Sequence, residues 1–288
     1  MAITATAVTP HMPSNFRSAL VDNRYVIGVG AGTFAVFDSN TDTIRAYNWT
    51  APGGFGTLDA SGSPVREYQG AAVAVFPNTA LDKGCIVFCY PDGTFDSFLL
   101  PSYFGTQIPD GFDIVTGVPG VVFAVGMFDG RTSGVTVVEC WSAALVKAGR
   151  VVTTSDYDIR GLICRSGVAY HGGTVVRRVD LATMTMLSSL PSSAGFTARK
   201  PILLGSDIWW SGGNQLRQIA NDNTITSYGG TNVSDDICRG SDGRFYWGTG
   251  STLGSVLPGE PSRNDTLPMS ASRWEPHAVG SELRIAYR

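Results

Sequence analysis

The chain has 288 residues, 43% of them hydrophobic and 16% charged, with 35 glycines and a net charge of −3. That length allows one or two domains with a substantial core, and the weak acidity with no basic block excludes a nucleic-acid footprint. No run reaches the roughly 18 apolar residues of a membrane span, so neither nucleic acid nor membrane is a predicted partner.

Residues 1–16 lack the basic start and apolar core of a secretory signal. Cytoplasmic synthesis is the expectation. Within that stretch, residues 3–9 alternate as an isolated strand would. Short strands then follow at 18–21, 23–30, 33–38 and 43–49, separated by tight turns. A Gly-, Ser- and Pro-rich stretch from Ala51 to Pro64 intervenes before strands at 71–76, 85–90 and 94–100. A second loop is predicted from Pro101 to Asp110, followed by strands at 112–115, 121–128, 135–141 and 146–153. Further groups begin near Ile159, Pro201, Asp236 and Pro276, and 257–269 reads as a third irregular, proline-rich stretch.

The later groups share a phrase. It reads Ser166-Gly167-Val168-Ala169-Tyr170-His171-Gly172-Gly173, then Ser206-Asp207-Ile208-Trp209-Trp210-Ser211-Gly212-Gly213, then Ser241-Asp242-Gly243-Arg244-Phe245-Tyr246-Trp247-Gly248. A last instance starts at Gly280-Ser281-Glu282-Leu283. Gly172 to Gly212 is 40 positions, and so is Ser241 to Ser281. Short strands repeating every 40–45 residues mark propeller blades. The chain thus reads as all-β: a single domain over 1–288, a seven-bladed β-propeller of four-stranded antiparallel blades, with six blades as the alternative. A strand at about 3–9 is expected to complete the last blade, about 272–288, and so protect its edge.

At the level of blades the whole chain resembles the seven-bladed propeller superfamily, and the run at 241–246 resembles phrases of NHL-type and lactonase-type propellers. The Trp-Asp ends of WD40 repeats and the Asp box of sialidases are absent. The lactonase resemblance implies a divalent cation held near the axis by carboxylates. The residues just before each innermost strand supply a ring of charges: Arg17, Glu67, Asp113, Asp158 with Arg160, Arg199 with Lys200, Asp235 with Asp236, and Glu275 with His277. Glu67, Asp113, Asp158, Asp236 and Glu275 are the candidate ligands for Ca²⁺ or Mg²⁺, whose bound water would attack an ester. The competing expectation is a solvated channel with self-paired charges, no metal and no other cofactor.

Other motifs read as structure. The five cysteines are odd in number and lie in apolar strands, with Cys85 and Cys89 on one face, so they are expected to be buried free thiols. Gly28-Val29-Gly30-Ala31-Gly32 has no helix to complete a phosphate cradle. Trp209, Trp210 and Trp247 alternate within strands, as packing between blades requires. Phe55, Tyr103 and Phe104, on the two predicted loops, are the candidate partner contacts.

Three functions stay open. The first is a non-enzymatic structural or protein-interaction propeller in a larger assembly. A bare propeller with no export signal and 18 arginines against 3 lysines resembles a bacteriophage virion or tail component, although a GC-rich genome also favours arginine. It would then localise to the virion. The second is a metal-dependent lactonase or a glycoside hydrolase using the charged ring. The third is a lectin-like propeller that takes a glycan on exposed aromatics.

Overall fold

The computed structural model describes residues 2–4, 16–52, 64–78, 83–103, 108–129, 135–153, 161–173, 175–190, 200–212, 215–228, 236–271 and 274–287. All regular structure among them is β, in seven sheets. The first sheet contains Arg17–Val21, Tyr25–Gly30, Thr33–Asp38 and Thr43–Asn48. The second contains Arg66–Tyr68, Ala71–Asn78, Lys83–Cys89 and Phe95–Tyr103. The third holds Ile108–Ile114, Phe123–Asp129, Val135–Trp141 and Lys147–Thr153. The fourth holds Leu162–Arg165, Val168–His171, Val176–Asp180 and Thr185–Leu190. Ile202–Leu204, Asp207–Gly212, Gln215–Ile219 and Ile225–Tyr228 form the fifth sheet, and Cys238–Arg239, Phe245–Val256 and Arg263–Ala271 the sixth. The seventh joins Trp274–Val279 and Glu282–Tyr287 to Ala2–Thr4.

Six of these sheets are unbroken meanders of consecutive antiparallel strands; the seventh is assembled from the two ends of the chain. The count of six describes the meanders and the count of seven the sheets. The first strand of each sheet contacts its counterpart in the next, round to the seventh and back to the first, the fifth and sixth sheets meeting through the Lys200–Asp236 bridge just ahead of their first strands, so the sheets form a propeller.

Local chemistry explains the blades. In Ala71–Asn78, Ala72, Ala74 and Phe76 pack against the first sheet while Ala71, Val73 and Val75 pack against the third. Successive side chains point to opposite faces, so a strand between two blades must be apolar on both. The adjacent Trp209 and Trp210 obey the same rule. Trp210 packs toward the fourth sheet and Trp209 toward the sixth, with its ring centroid 4.4 Å from that of Phe245. Gln69 and Gly70, and Ser166 and Gly167, have positive φ at the inner hairpins, as two-residue turns between right-twisted strands demand.

The sixth sheet hides a fourth ply. Cys238–Arg239 pairs with the start of Phe245–Val256 and Arg263–Ala271 with its end. In a straight strand Trp247 and Gly254 would stand about 23 Å apart, yet a Cβ on Gly254 would lie 2.2 Å from the Trp247 ring. The chain doubles back between them.

Four sequence expectations need correction. The closing strand is Ala2–Thr4, and it pairs with Glu282–Arg284 in parallel rather than antiparallel fashion. The rest of 3–9 lies outside the described residues. The closing sheet has three strands among the described residues, not four. Most of the predicted loop from Pro101 to Asp110 is strand. Phe95–Tyr103 runs through Tyr103, which pairs with Lys83, and the next strand starts at Ile108. Finally, 263–269 is strand rather than irregular chain; Pro268 sits in this outermost strand, where a missing ladder donor is tolerated.

Candidate functional site at the channel

Strand alternation decides which charges reach the axis. Arg66 and Glu67 are neighbours at the start of the second sheet, so only one can point inward. It is Arg66. Its Nε lies 3.0 Å from Asp113 Oδ1 and 3.2 Å from the Phe112 carbonyl, and its Nη2 donates to the carbonyls of Leu162 at 3.3 Å and Pro201 at 3.1 Å. One guanidinium from the second sheet therefore spans to the third, to the fourth and to the chain entering the fifth. Asp113 also accepts the Cys164 amide at 2.6 Å. Burial holds its carboxyl above the usual range, while Arg66 pulls the other way.

The opposite half of the ring forms a second cluster. Arg17 Nη1 lies 3.1 Å from Asp236 Oδ2 and 3.7 Å from Glu275 Oε1. Glu275 Oε2 accepts both the amide and the hydroxyl of Ser18 at 2.5 Å, and Ser18 Oγ lies 2.7 Å from His277 Nε2. Lys200 donates to the Ser18 carbonyl. Burial raises Glu275 to about 7, with Asp236 adding to the rise and Lys200, Arg17 and Ser18 opposing it. Burial and then Lys200 hold His277 well below its usual range.

Of the five candidate metal ligands, Asp236 and Glu275 are brought together, with Arg17 between them; Asp113 is tied to Arg66 instead. Glu67 is exposed and caps its own turn, accepting the Gly70 amide at 3.1 Å. Asp158, like Arg160, Arg199 and Asp235, lies outside the described residues. Among the described residues no group of three or more His, Cys, Asp or Glu side chains is placed to share one ion. Of the candidate partner contacts, Phe55 and Phe104 lie outside the described residues, and Tyr103 is placed in a strand. Reading the sequence missed Ser18 and Arg66. Ser18 carried no charge to mark it, and Arg66 was masked by the acid beside it.

This arrangement limits the chemistry. Ser18 has one hydroxyl proton, directed to Glu275; when Glu275 is ionised, the His277 contact is an Nε2–H donating to Ser18, the reverse of a general base removing a serine proton. Ser18 is fully buried, and the Asp236 and Glu275 side chains are only 4% and 1% exposed. A glycosidase pair, by contrast, must flank an open cleft.

Beside the charged layer lies a cavity of about 320 Å³. Its wall is mainly apolar, with Leu20, Val65, Ile202, Leu204, Ile237 and Pro276; Glu67 and Arg239 are exposed on it. A groove of about 340 Å³ lies between the first and second sheets. It is lined by half-buried Tyr25 and Tyr47 and by Asp38, Thr41, Thr43, Arg45 and Asp92. Tyr47 stacks on Phe34 at 5.1 Å, and the turn at Gly93 packs tightly against its ring.

No family model matches the chain, and no curated protein matches it. Among solved structures it is similar to the AfRom2 CNH domain, with a TM-score of 0.63 and 9% identity over 99% of this chain and 94% of that one. At that identity the likeness concerns the fold. It agrees with the propeller read from the sheets.

The remaining motifs are structural. In the phrase at 241–246, Asp242 accepts the Arg244 amide at 3.1 Å and the Tyr246 hydroxyl at 2.6 Å. The resemblance to NHL and lactonase phrases thus rests on a hairpin turn. All five cysteines are free thiols, Cys85 and Cys89 sharing one buried core.

Proposed function

We propose that this propeller is a non-enzymatic protein-interaction module that docks a partner at the apolar channel mouth. The observation that carries this reading is the mutual neutralisation at the axis, where Arg17, Arg66 and Lys200 stand with Asp113, Asp236 and Glu275. A buried layer in which each carboxylate faces a cation serves architecture better than proton transfer. What it leaves accessible is the apolar wall around Leu20, Ile202 and Leu204, of the kind that anchors partner side chains. The finer reading, a component of a larger assembly such as a phage virion or tail, is supported by the arginine-rich basic complement.

The test is gradient sedimentation and mass spectrometry of the native particle. The expected result is co-migration at fixed stoichiometry, lost in Leu204→Glu while the fold is kept. A free monomer near 30 kDa in the native source, unaffected by Leu204→Glu, would overturn it.

The groove between Tyr25 and Tyr47 favours a second reading, a glycan site. Aromatic flanks with hydroxyl and carboxylate partners suit a polar ring with apolar faces. NMR titration with maltotriose and with chitotriose tests it. Shifts confined to the groove and abolished by Tyr25→Ala support it; no shifts at millimolar sugar reject it.

A further inference from the structure

We propose that the propeller opens at one place, the seam between the closing sheet and the first sheet, and that the polar cluster on Ser18 is the latch that holds it shut.

The apolar cores between sheets shrink along the chain. Among the described residues, fifteen buried apolar side chains form the core between the first and second sheets. Eleven fill each of the next two junctions, then seven, then six, and four join the sixth sheet to the seventh. At the last junction the cluster is Phe16, Val26, Ala35 and Phe37, all from the first sheet's side.

Among the described residues, what crosses that seam is mainly polar. Glu275 takes both the amide and the hydroxyl of Ser18, His277 meets the same hydroxyl, and Arg17 reaches Glu275 at 3.7 Å. Farther out, Arg284 reaches back to Asp42 at 3.0 Å and sits over the Phe37 ring at 5.8 Å. Lys200 adds a bond to the Ser18 carbonyl from the fifth sheet's side. The chain itself crosses the seam through Ala2–Thr4, a strand with three paired positions.

The two kinds of junction respond differently to opening. Water replaces most of the hydrogen bonding that a separating polar seam gives up, whereas exposed apolar surface gains nothing comparable. Sub-global opening follows the least apolar boundary. The closing sheet can therefore part from the first sheet while the large cores of the first four sheets stay intact.

Hydrogen exchange of the full chain tests this. Peptides covering 17–21 and 274–279 are expected to exchange at least 100-fold faster than those covering 71–76 and 123–127. Ser18→Ala should speed exchange at 17–21 and 274–279 about tenfold, with 71–76 rising by no more than the loss of global stability and remaining the slower set. Should Ser18→Ala not fold, Arg284→Gln, which loosens the outer end of the same seam, carries the comparison. Equal protection at the seam and at 71–76 would overturn the proposal. So would fast exchange confined to 282–287 with 17–21 protected, because that pattern is fraying of the chain end.

Discussion

Ser18 and Glu275 stand 257 positions apart in the chain and 2.5 Å apart in space, hydroxyl to carboxylate. Neither is accessible to solvent beyond 1%. Through this contact the first sheet meets the sheet that closes the ring.

Replacing Ser18 by alanine should therefore cost more than a surface hydroxyl. The substitution leaves a buried carboxylate and a buried imidazole each short of a partner, which is worth about 1–3 kcal/mol. Denaturant unfolding should show a lowered midpoint with an unchanged slope; an unchanged midpoint would mean that the contact does not hold the seam.

Glu275 makes stability depend on pH near neutrality. Its folded value, raised to about 7 chiefly by burial, lies above the ordinary 4.5, so the folded state binds the proton more tightly than the unfolded chain. Its contribution is fully present below about pH 4.5, falls as pH rises through 7, and is level above. The loss is on the order of 3 kcal/mol. Glu275→Gln should flatten this limb in melting curves taken from pH 5 to 8.

His171 acts in the opposite direction. It is fully buried, neither ring nitrogen is hydrogen-bonded among the described residues, and burial lowers it to about 3. The unfolded chain binds its proton near 6.5, so stability is complete above that and lost as pH falls toward 3, by on the order of 5 kcal/mol. His171→Met should fill the space with a flexible apolar chain and make the acid limb shallower. An unaltered acid limb would place the proton uptake elsewhere.

Arg165 ties the fourth sheet to the fifth. Its Nη1 donates to the carbonyls of Ser206, Ile219 and Ala220, its Nη2 to Tyr170 Oη and Asn223 Oδ1, and its guanidinium lies 4.7 Å from the Tyr170 ring centre. A lysine cannot reproduce this planar fork. Arg165→Lys should cost nearly as much as Arg165→Ala, about 3–5 kcal/mol, measured by urea unfolding. Full stability in the lysine variant would show that charge alone suffices.

Tyr47 offers a check on the outer groove. A Cβ on Gly93 would sit 2.2 Å from the Tyr47 ring, so Gly93→Ala must displace that ring, and Gly93 also has a φ of +93°. The variant should lose about 1–3 kcal/mol and show altered tyrosine near-UV circular dichroism.

The sequence by itself determined the repeating unit. Period-two alternation, aromatic strands and Gly-containing turns at 40-position spacing specify blades locally, because hairpins form between near neighbours. It also determined that Trp209 and Trp210 serve packing, since adjacent strand residues must face opposite blades. Only the tertiary structure decided which charges meet. That Arg66 and not Glu67 crosses the axis depends on strand register, and a shift of one residue would exchange them. The pairing of Ser18 with Glu275, and of Ala2–Thr4 with Glu282–Arg284 in parallel, depends on where the ring closes. Closure is the sum of small rotations between successive blades, and no local pattern in the chain encodes that sum.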